Sequence, residues 1–402
     1  MIKQEQLVPK RRFEGFNTEW KICKVKEYVE LENGHAFKSE YFQSNVTKKI
    51  VLTPGNINVG GGFQIDKGHY YDELADYPKK TAMKPGDIFV TMTDLTPTAQ
   101  TLGFPAIIPD DGNVYLHNQR LGKLVNYDLD KSYLFNLLCT KNYHNQIVMT
   151  ASGTTVKHSS PQRILNSLIS VPSKEEQQKI GEFFKYLDEM IALQQQKIDK
   201  IEDLKSAYLA EMFPTEGESV PKRRFEGFTE KWISSKFENI INMHNNLRIP
   251  VTASKRIIGY TPYYGANGIQ DYVKGSTHNG EFVLIAEDGA NDLTNYPVIY
   301  VNGKVWVNNH AHVVKGKADI VDNLFLVSRM KSMDISKWLV GGGRAKLNAE
   351  ILKSIQIKIP DYKEQQKIGE FFKHLDDMIK THEQKLEKLK ATKQAYLHEM
   401  FV

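Results

Sequence analysis

Two stretches of the chain place apolar residues at alternating steps of four and three. Ile180, Phe184, Leu187, Ile191, Gln194, Ile198, Ile201, Lys205 and Tyr208 form one series, and Ile368, Phe372, Leu375, Ile379, His382, Leu386, Leu389, Lys393 and Tyr396 form the other. This spacing is the seam of a coiled coil. Residues 176–213 return without a gap 188 positions later as residues 364–401, polar interruptions included. An ungapped copy marks a repeated unit, so each helix is the best partner for the other. At about 1.5 Å per residue each rod would run roughly 55 Å.

A second repeat has a different offset. VPKRRFEGFNTEW at residues 8–20 returns 212 positions later as VPKRRFEGFTEKW at 220–232. Each half is therefore a stub, a variable region and a long helix. The variable regions, about 21–172 and 233–360, share little sequence and read as α+β. Residues 84–94 and 280–291 are each a turn, a β-rich run and a polar loop, while 303–314 alternates like a half-buried strand and 114–125 resembles it. Helices are predicted at about 131–149 and 319–341. Each region closes with a glycine-containing loop, a short helix and an apolar strand ending at Pro172 or Pro360, just before the long helix.

The connection 214–232 decides the topology. Parallel helices would force it back along the rod, whereas antiparallel helices let the second region form where the first helix ends. The expected fold class is thus α+β, with two mixed α/β domains separated by two long antiparallel coiled-coil helices, pseudo-two-fold and circularly repeated. The boundaries are 1–173 for stub and first variable domain, 174–213 for the first helix, 214–361 for linker and second domain, and 362–402 for the second helix.

Composition narrows the setting. The chain has 402 residues, 41% hydrophobic and 25% charged, which suits several packed cores. A net charge of +5 permits local basic faces toward an acidic polymer without making the whole a polycation. The start MIKQEQLVPKRR has no apolar signal core, and no apolar run approaches the roughly 18–20 residues that span a bilayer, so a cytosolic protein without a membrane role is expected. Two cysteines, Cys23 and Cys139, make no disulfide framework and read as reduced, partly buried residues.

Two unlike domains at the ends of a spacer suit a device that reads two separated sites, and major-groove faces of duplex DNA recur about every 34 Å. Asn and Gln can pair with adenine, Arg and Lys with guanine, and Ser, Thr and Tyr with bases or phosphates. The first region offers Thr91, Thr93, Asp94, Gln100 and Thr101, then Asn118, Gln119 and Arg120, then Ser152, Lys157 and His158. The second offers Tyr263, Tyr264, Asn267, Asn291, Asn308, Asn309, His310, Arg344 and Lys346. Any one of them has a turn or capping role open to it; their clustering on comparable loops is the signal. Apolar groups outside the seam, Phe183, Met190, Leu209, Met212 and Phe213 with their copies Phe371, Met378, Leu397, Met400 and Phe401, would suit two copies of one partner, although internal packing uses the same residue types.

Catalytic signals are weak. GGGRAKLN lacks the spacing of a phosphate-binding loop, and Gly60–Gly62 does not open a helix as GxGxxG does. His310 and His312 share a strand face, but no neighbouring carboxylate or cysteine completes a metal set, so no metal site is expected. Pro360, Asp361, Glu364 and Lys367 lie at a helix start, where acidic residues favour the dipole. A self-sufficient metal-dependent nuclease and a plain scaffold are the competing readings.

The stub VPKRRFEGF…W, the helix opening PxxxEQQKIGEFFxxLDxMI, the ending YLxEMF and the phrases TPYYGANGI and WVNNHAHVV together resemble the DNA specificity subunit of type I restriction-modification systems, over essentially the whole chain. The resemblance implies two target-recognition domains reading the halves of a bipartite, asymmetric DNA site, with the two helices setting the spacing. It implies two modification subunits along the helices, methylating adenine from S-adenosylmethionine, and restriction subunits using ATP and Mg. This chain itself would carry no catalysis and no cofactor. The family does not transfer base contacts, because recognition loops diverge.

Overall fold

A computed structural model describes residues 8–341 and 345–402. The chain forms two compact units. One holds the chain up to Leu193 together with Leu386–Val402, and the other is Gln194–Lys385. The long helices are Lys174–Glu211 and Tyr362–Glu399, each of 38 residues.

In the first unit, Glu30–Asn33, Leu121–Val125, Ile88–Thr91 and Pro105–Ile107 make an antiparallel four-stranded sheet. A second four-stranded sheet orders Phe42–Gln43, His69–Tyr71, Lys49–Val51 and Val114–Leu116, with its last pair parallel. The core against the helices gathers Trp20, Tyr133, Phe184 and Phe401. Phe401 packs 6.4 Å from Trp20 and 5.8 Å from Phe184, ring centre to ring centre. Here the helices run antiparallel: Phe183 meets Tyr396, and Asp188 pairs with Lys393 at 2.6 Å. Cys23 and Cys139 are buried and free.

The second unit has one six-stranded sheet ordered Ile241–Met243, Ala311–Gly316, His278–Ala286, Val298–Val307, Ile258–Gly265 and Gly268–Val273. Its core repeats the aromatic plug: Phe213 lies 5.9 Å from both Trp232 and Phe372. The helices are antiparallel here too. Tyr208 meets Phe371, Lys205 pairs with Asp376, and Gln194 donates to the His382 carbonyl at 3.0 Å. A buried polar pair within an apolar seam fixes register at some cost in stability.

The repeated sequence builds repeated contacts. In the first stub Arg12 grips Glu176 with two hydrogen bonds of 2.7 and 2.8 Å; in the second, Arg224 grips Glu364 with two of 2.7 Å. Both carboxylates are fully enclosed. Gln177 accepts from the Asp130 amide and Gln365 from the Asp322 amide, each at 3.0 Å. Those aspartates cap the helices Lys131–Leu138 and Asn323–Lys331. They press against the long helices where a side chain would obstruct them: a Cβ on Gly369 would stand 2.6 Å from the Phe325 amide nitrogen, and Gly181 faces Asp130 in the same way. This explains a glycine inside each helix despite its poor propensity.

Several elements differ from the periodicity. The helix predicted at 131–149 is two, Lys131–Leu138 and Lys141–Thr150, because Thr140 caps the second by accepting from the Tyr143 amide. The one predicted at 319–341 is Asn323–Lys331 followed by a short 3-10 turn, Ile335–Trp338. The alternating runs 114–125 and 303–314 each break in the middle. The side chains of Asn118 and Asn308 accept the amides of Arg120 and His310, at 3.0 and 2.8 Å, and turn the chain into the next strand. An Asx turn competes with the ladder wherever Asn can reach the amide two residues on.

Candidate nucleic-acid interface

In the first unit the three predicted clusters lie side by side. Thr93–Asp94 pairs with Lys157–His158, the Met92 amide donates to the Arg120 carbonyl at 2.9 Å, and the Ser159 amide donates to the Met92 carbonyl at 2.9 Å. Gln100, Gln119, Arg120 and His158 are exposed there, with Asn118 and Lys157 half-buried. Thr91, Thr93 and Asp94 are buried, so the expectation that they face a ligand is corrected. Asp94 accepts from the amides and hydroxyls of Thr96 and Thr101 at 2.6–2.7 Å, which uses both carboxylate oxygens. Burial pushes its pKa up, but those four bonds outweigh burial and hold it below the ordinary carboxylate value. Thr91 bonds to the Thr101 carbonyl and accepts from the Gly103 amide. These residues hold the 95–101 loop in place, and Gln100 is what the loop presents.

That loop borders a cleft of about 1070 Å³, whose other walls include Asn58, Gly61, Lys67, Lys390 and Gln394. The glycine run, which has no phosphate-loop spacing, gives Gly61 to the cleft wall: Gly60, Gly61 and Gly62 all have positive φ, and a Cβ on Gly61 would collide with the Cys139 sulfur.

In the second unit the loops also converge. Asn267 donates to the Gly289 carbonyl at 2.9 Å and accepts from the Asn291 amide at 3.0 Å. The Glu287 amide donates to the His310 carbonyl, and the Leu347 amide to the Glu287 carbonyl. His310 reaches Asp288 through Nδ1. Asn267, Asn291 and Asn309 are exposed, while Tyr264, His310 and Lys346 are half-buried. Tyr263 and Asn308 are interior, a second correction: the Tyr263 hydroxyl holds the Val251 backbone at 2.9 and 3.2 Å, and Asn308 makes the turn. Arg344 lies outside the described residues.

Two residues not singled out in the sequence tie this cluster together. Glu287 pairs with Arg248 at 2.6 Å and Lys346 at 3.0 Å. Burial raises the Glu287 pKa, but the two cationic partners outweigh it and keep it ionised. Arg248 carries no local charge signal, because the carboxylate it pairs with lies 39 residues away; its one near contact is to the Asn245 carbonyl. His312 is closed to metals: its Nε2 bonds to the Leu347 carbonyl at 2.7 Å and its Nδ1 to the Asn245 amide group at 2.9 Å. Burial lowers its pKa, so it is neutral. Among the described residues, no three His, Cys, Asp or Glu side chains gather as a metal set.

The repeated apolar groups are also corrected in part. Met212, Phe213, Met400 and Phe401 are buried where each stub covers a helix end. Phe183 packs on Phe13 and Tyr396, and Phe371 on Phe225 and Tyr208. Met190 and Met378 remain half-buried. The sequence pattern cannot separate a group that packs on a distant stub from one left for another chain.

The family model described as type I restriction modification DNA specificity domain matches residues 17–203 and again 229–391. The chain belongs to this family. A putative type I restriction enzyme specificity subunit of Haemophilus influenzae is 47% identical over 139 residues, 35% of this chain and 35% of that protein. The type I restriction enzyme MjaVIII specificity subunit of Methanocaldococcus jannaschii is 26% identical over 193 residues, 46% of this chain and 44% of that one. The matches thus span between a third and a half of these curated relatives. The crystal structure of a type I restriction-modification S subunit from M. genitalium superposes with a TM-score of 0.68 at 15% identity, covering 98% of this chain and 99% of that one. A chain from a structure concerned with complex assembly and conformational transition of the type I system gives 0.51 at 15% identity, over 96% and 98%. This chain therefore shares the fold of those S subunits. No helix among its described residues is long and apolar enough to cross a membrane.

Proposed function

We propose that this specificity chain is the non-catalytic DNA-reading subunit of a type I restriction-modification complex, in which each unit reads one half of a bipartite, asymmetric duplex site. The observation that carries this reading is one frame bearing two different sheet arrangements, each with its polar loops gathered in one place. A frame that repeats while its loops diverge is what two unlike half-sites call for. In the first unit Gln100, Asn118, Gln119, Arg120, Lys157 and His158 carry the reading; in the second, Tyr264, Asn267, Asn291, Asn309, His310 and Lys346 do. Amides and guanidinium groups suit base edges, and lysines suit phosphates.

The long helices set the spacing of the half-sites, at about one turn or roughly 10 base pairs. They dock two adenine-methyltransferase subunits, and through them the restriction subunits. S-adenosylmethionine, ATP and Mg belong to those partners, and the complex works in the cytoplasm. The target adenine is flipped out of the duplex into a partner's pocket, so the chain binds DNA in a way that tolerates distortion.

The test is a base-resolution methylation map of DNA from cells carrying this chain with its neighbouring modification subunit, against cells with that subunit alone. N6-methyladenine at one split motif, present only with this chain, is the expected result. Folded, associated proteins that leave no such mark would defeat the proposal.

A further inference from the structure

We propose that the second unit holds a phosphate-binding pocket built on Arg329. This residue lies on the helix Asn323–Lys331, is 9% exposed and has its guanidinium carbon Cζ 5.7 Å from the centre of the Phe213 ring. Its Nη1 donates to the Ser332 hydroxyl at 3.2 Å, while its buried Nε has no partner. Among the described residues no carboxylate acts on it. Burial alone shifts its pKa, down to about 10, which leaves it cationic at neutral pH. An enclosed cation without a counter-charge destabilises a fold, so such a group points to an anion that arrives from outside.

The surroundings fit that visitor. Arg329 lines a pocket of about 500 Å³ together with Ser234, Ser332, Lys337, Lys358 and Trp338. Two carboxylates also border it. Asp334 is spent on the amide and hydroxyl of Ser336, and Glu216 is almost fully exposed, 3.5 Å from Lys337. Lys358 donates to a carbonyl, that of Glu218. The hydroxyls are already committed, Ser332 donating to the Arg329 carbonyl at 2.7 Å and Ser234 to the Gln356 side chain at 3.2 Å. The guanidinium and the two lysine ammonium groups bordering one space are what match a tetrahedral oxyanion, which accepts from several donors at once.

The repeat supplies the control. Asp130 and Asp322 cap corresponding helices and take the same glutamine contact. Seven residues after each cap stand Leu137 and Arg329. Leu137 is packed in the first core. The frame therefore folds around an apolar residue at this place, and the arginine is a property of the second unit alone.

Thermal melts of the full chain in potassium phosphate, against potassium chloride at matched ionic strength, test the site. Phosphate should raise the melting temperature of the parent by several degrees. Arg329→Leu should melt higher than the parent without phosphate and lose the phosphate response. An equal response in Arg329→Leu, or no phosphate-specific rise in the parent, would overturn the proposal. Lys358→Ala, at another lining residue of the same pocket, should weaken the response and serves if Arg329→Leu does not fold; an undiminished response there counts against the site. Two further titrations separate the phosphate's source. If it belongs to a DNA strand, Arg329→Leu weakens duplex binding about equally for all sequences and lowers the salt slope by about one. If it belongs to a free nucleotide, ADP binds the parent and not the variant, and duplex affinity is unchanged.

Discussion

The two units answer the same structural question with different sheets. Among the described residues the first has two four-stranded sheets beside two two-stranded pairs, and the second one six-stranded sheet beside one such pair. Yet Arg12 and Glu176, Trp20 and Phe401, Gln177 and Asp130 find their counterparts in Arg224 and Glu364, Trp232 and Phe213, Gln365 and Asp322. What repeats is the set of contacts between stub, cap and long helix. What diverges lies beyond that set, in the strands and loops that carry the exposed amides. Scaffold and proposed reading surface are thus separable within each unit, and the predictions below test that separation.

The largest effect should come from the frame. Arg12→Ala leaves Glu176 buried and unpaired, and Arg224→Ala does the same to Glu364; breaking one partner out of a buried pair costs about 3–5 kcal/mol. Hydrogen exchange followed by mass spectrometry should show faster amides in the first unit for Arg12→Ala and in the second for Arg224→Ala. If one variant were silent while the other loosened its unit, the two frames would not be equivalent.

Next come the reading loops. Asn309→Ala should weaken recognition of one half-site and Gln119→Ala of the other, each by about 1–3 kcal/mol, or roughly 5- to 150-fold. Methylation of plasmids carrying single-base changes in either half would report it. Melting temperature should hardly move, because both side chains are exposed. The buried turn residue Asn308 provides the contrast: Asn308→Ala should lower stability as well as recognition, since the His310 amide loses its partner.

Buried and half-buried histidines give both units an acid sensitivity of the same sign. Burial lowers the pKa of His117 and His144 in the first unit, and of His278 and His312 in the second. The folded chain therefore holds them neutral, while the unfolded chain takes up protons near the ordinary value of about 6.5. Stability should be complete above that value and fall as pH drops below it, because the unfolded state then binds more protons. Urea titrations at about pH 7.5, 6.5 and 5.5 should show the decline. A profile that stayed flat, or rose toward acid, would mean that these rings carry charge in the fold.

Much of the frame is legible in the sequence because it is written twice at fixed spacing. The seams, the helix glycines and the stub arginines are either periodic or duplicated, and a duplicated residue advertises a shared contact even before the contact is seen. The site is harder. Thr91, Asp94, Tyr263 and Asn308 have the same donors and acceptors as a reading residue, but they spend them on loop backbone, and only the fold tells which way a polar side chain is satisfied. Arg248 and Glu287 meet across 39 positions, beyond any local pattern. The same limit explains Phe213 and Phe401, whose apolar character was clear but whose covering stubs come from distant sequence.

The smallest effect should come from charges that repeat without being enclosed. Lys185 and Glu189 lie 4.0 Å apart in the first unit, and their copies Lys373 and Asp377 lie 2.5 Å apart in the second, all four side chains about half or more exposed. Repetition alone would rank them with Arg12 and Glu176. Burial argues otherwise, because water and salt screen an exposed pair and holding two long side chains costs entropy. Lys373→Ala should therefore change stability by about 0.3–0.5 kcal/mol, and Lys185→Ala by no more. The difference should fade as salt is raised from about 50 mM to 500 mM in matched melts. A loss comparable to that of Arg224→Ala would show that repetition, rather than enclosure, predicts which contacts hold the frame.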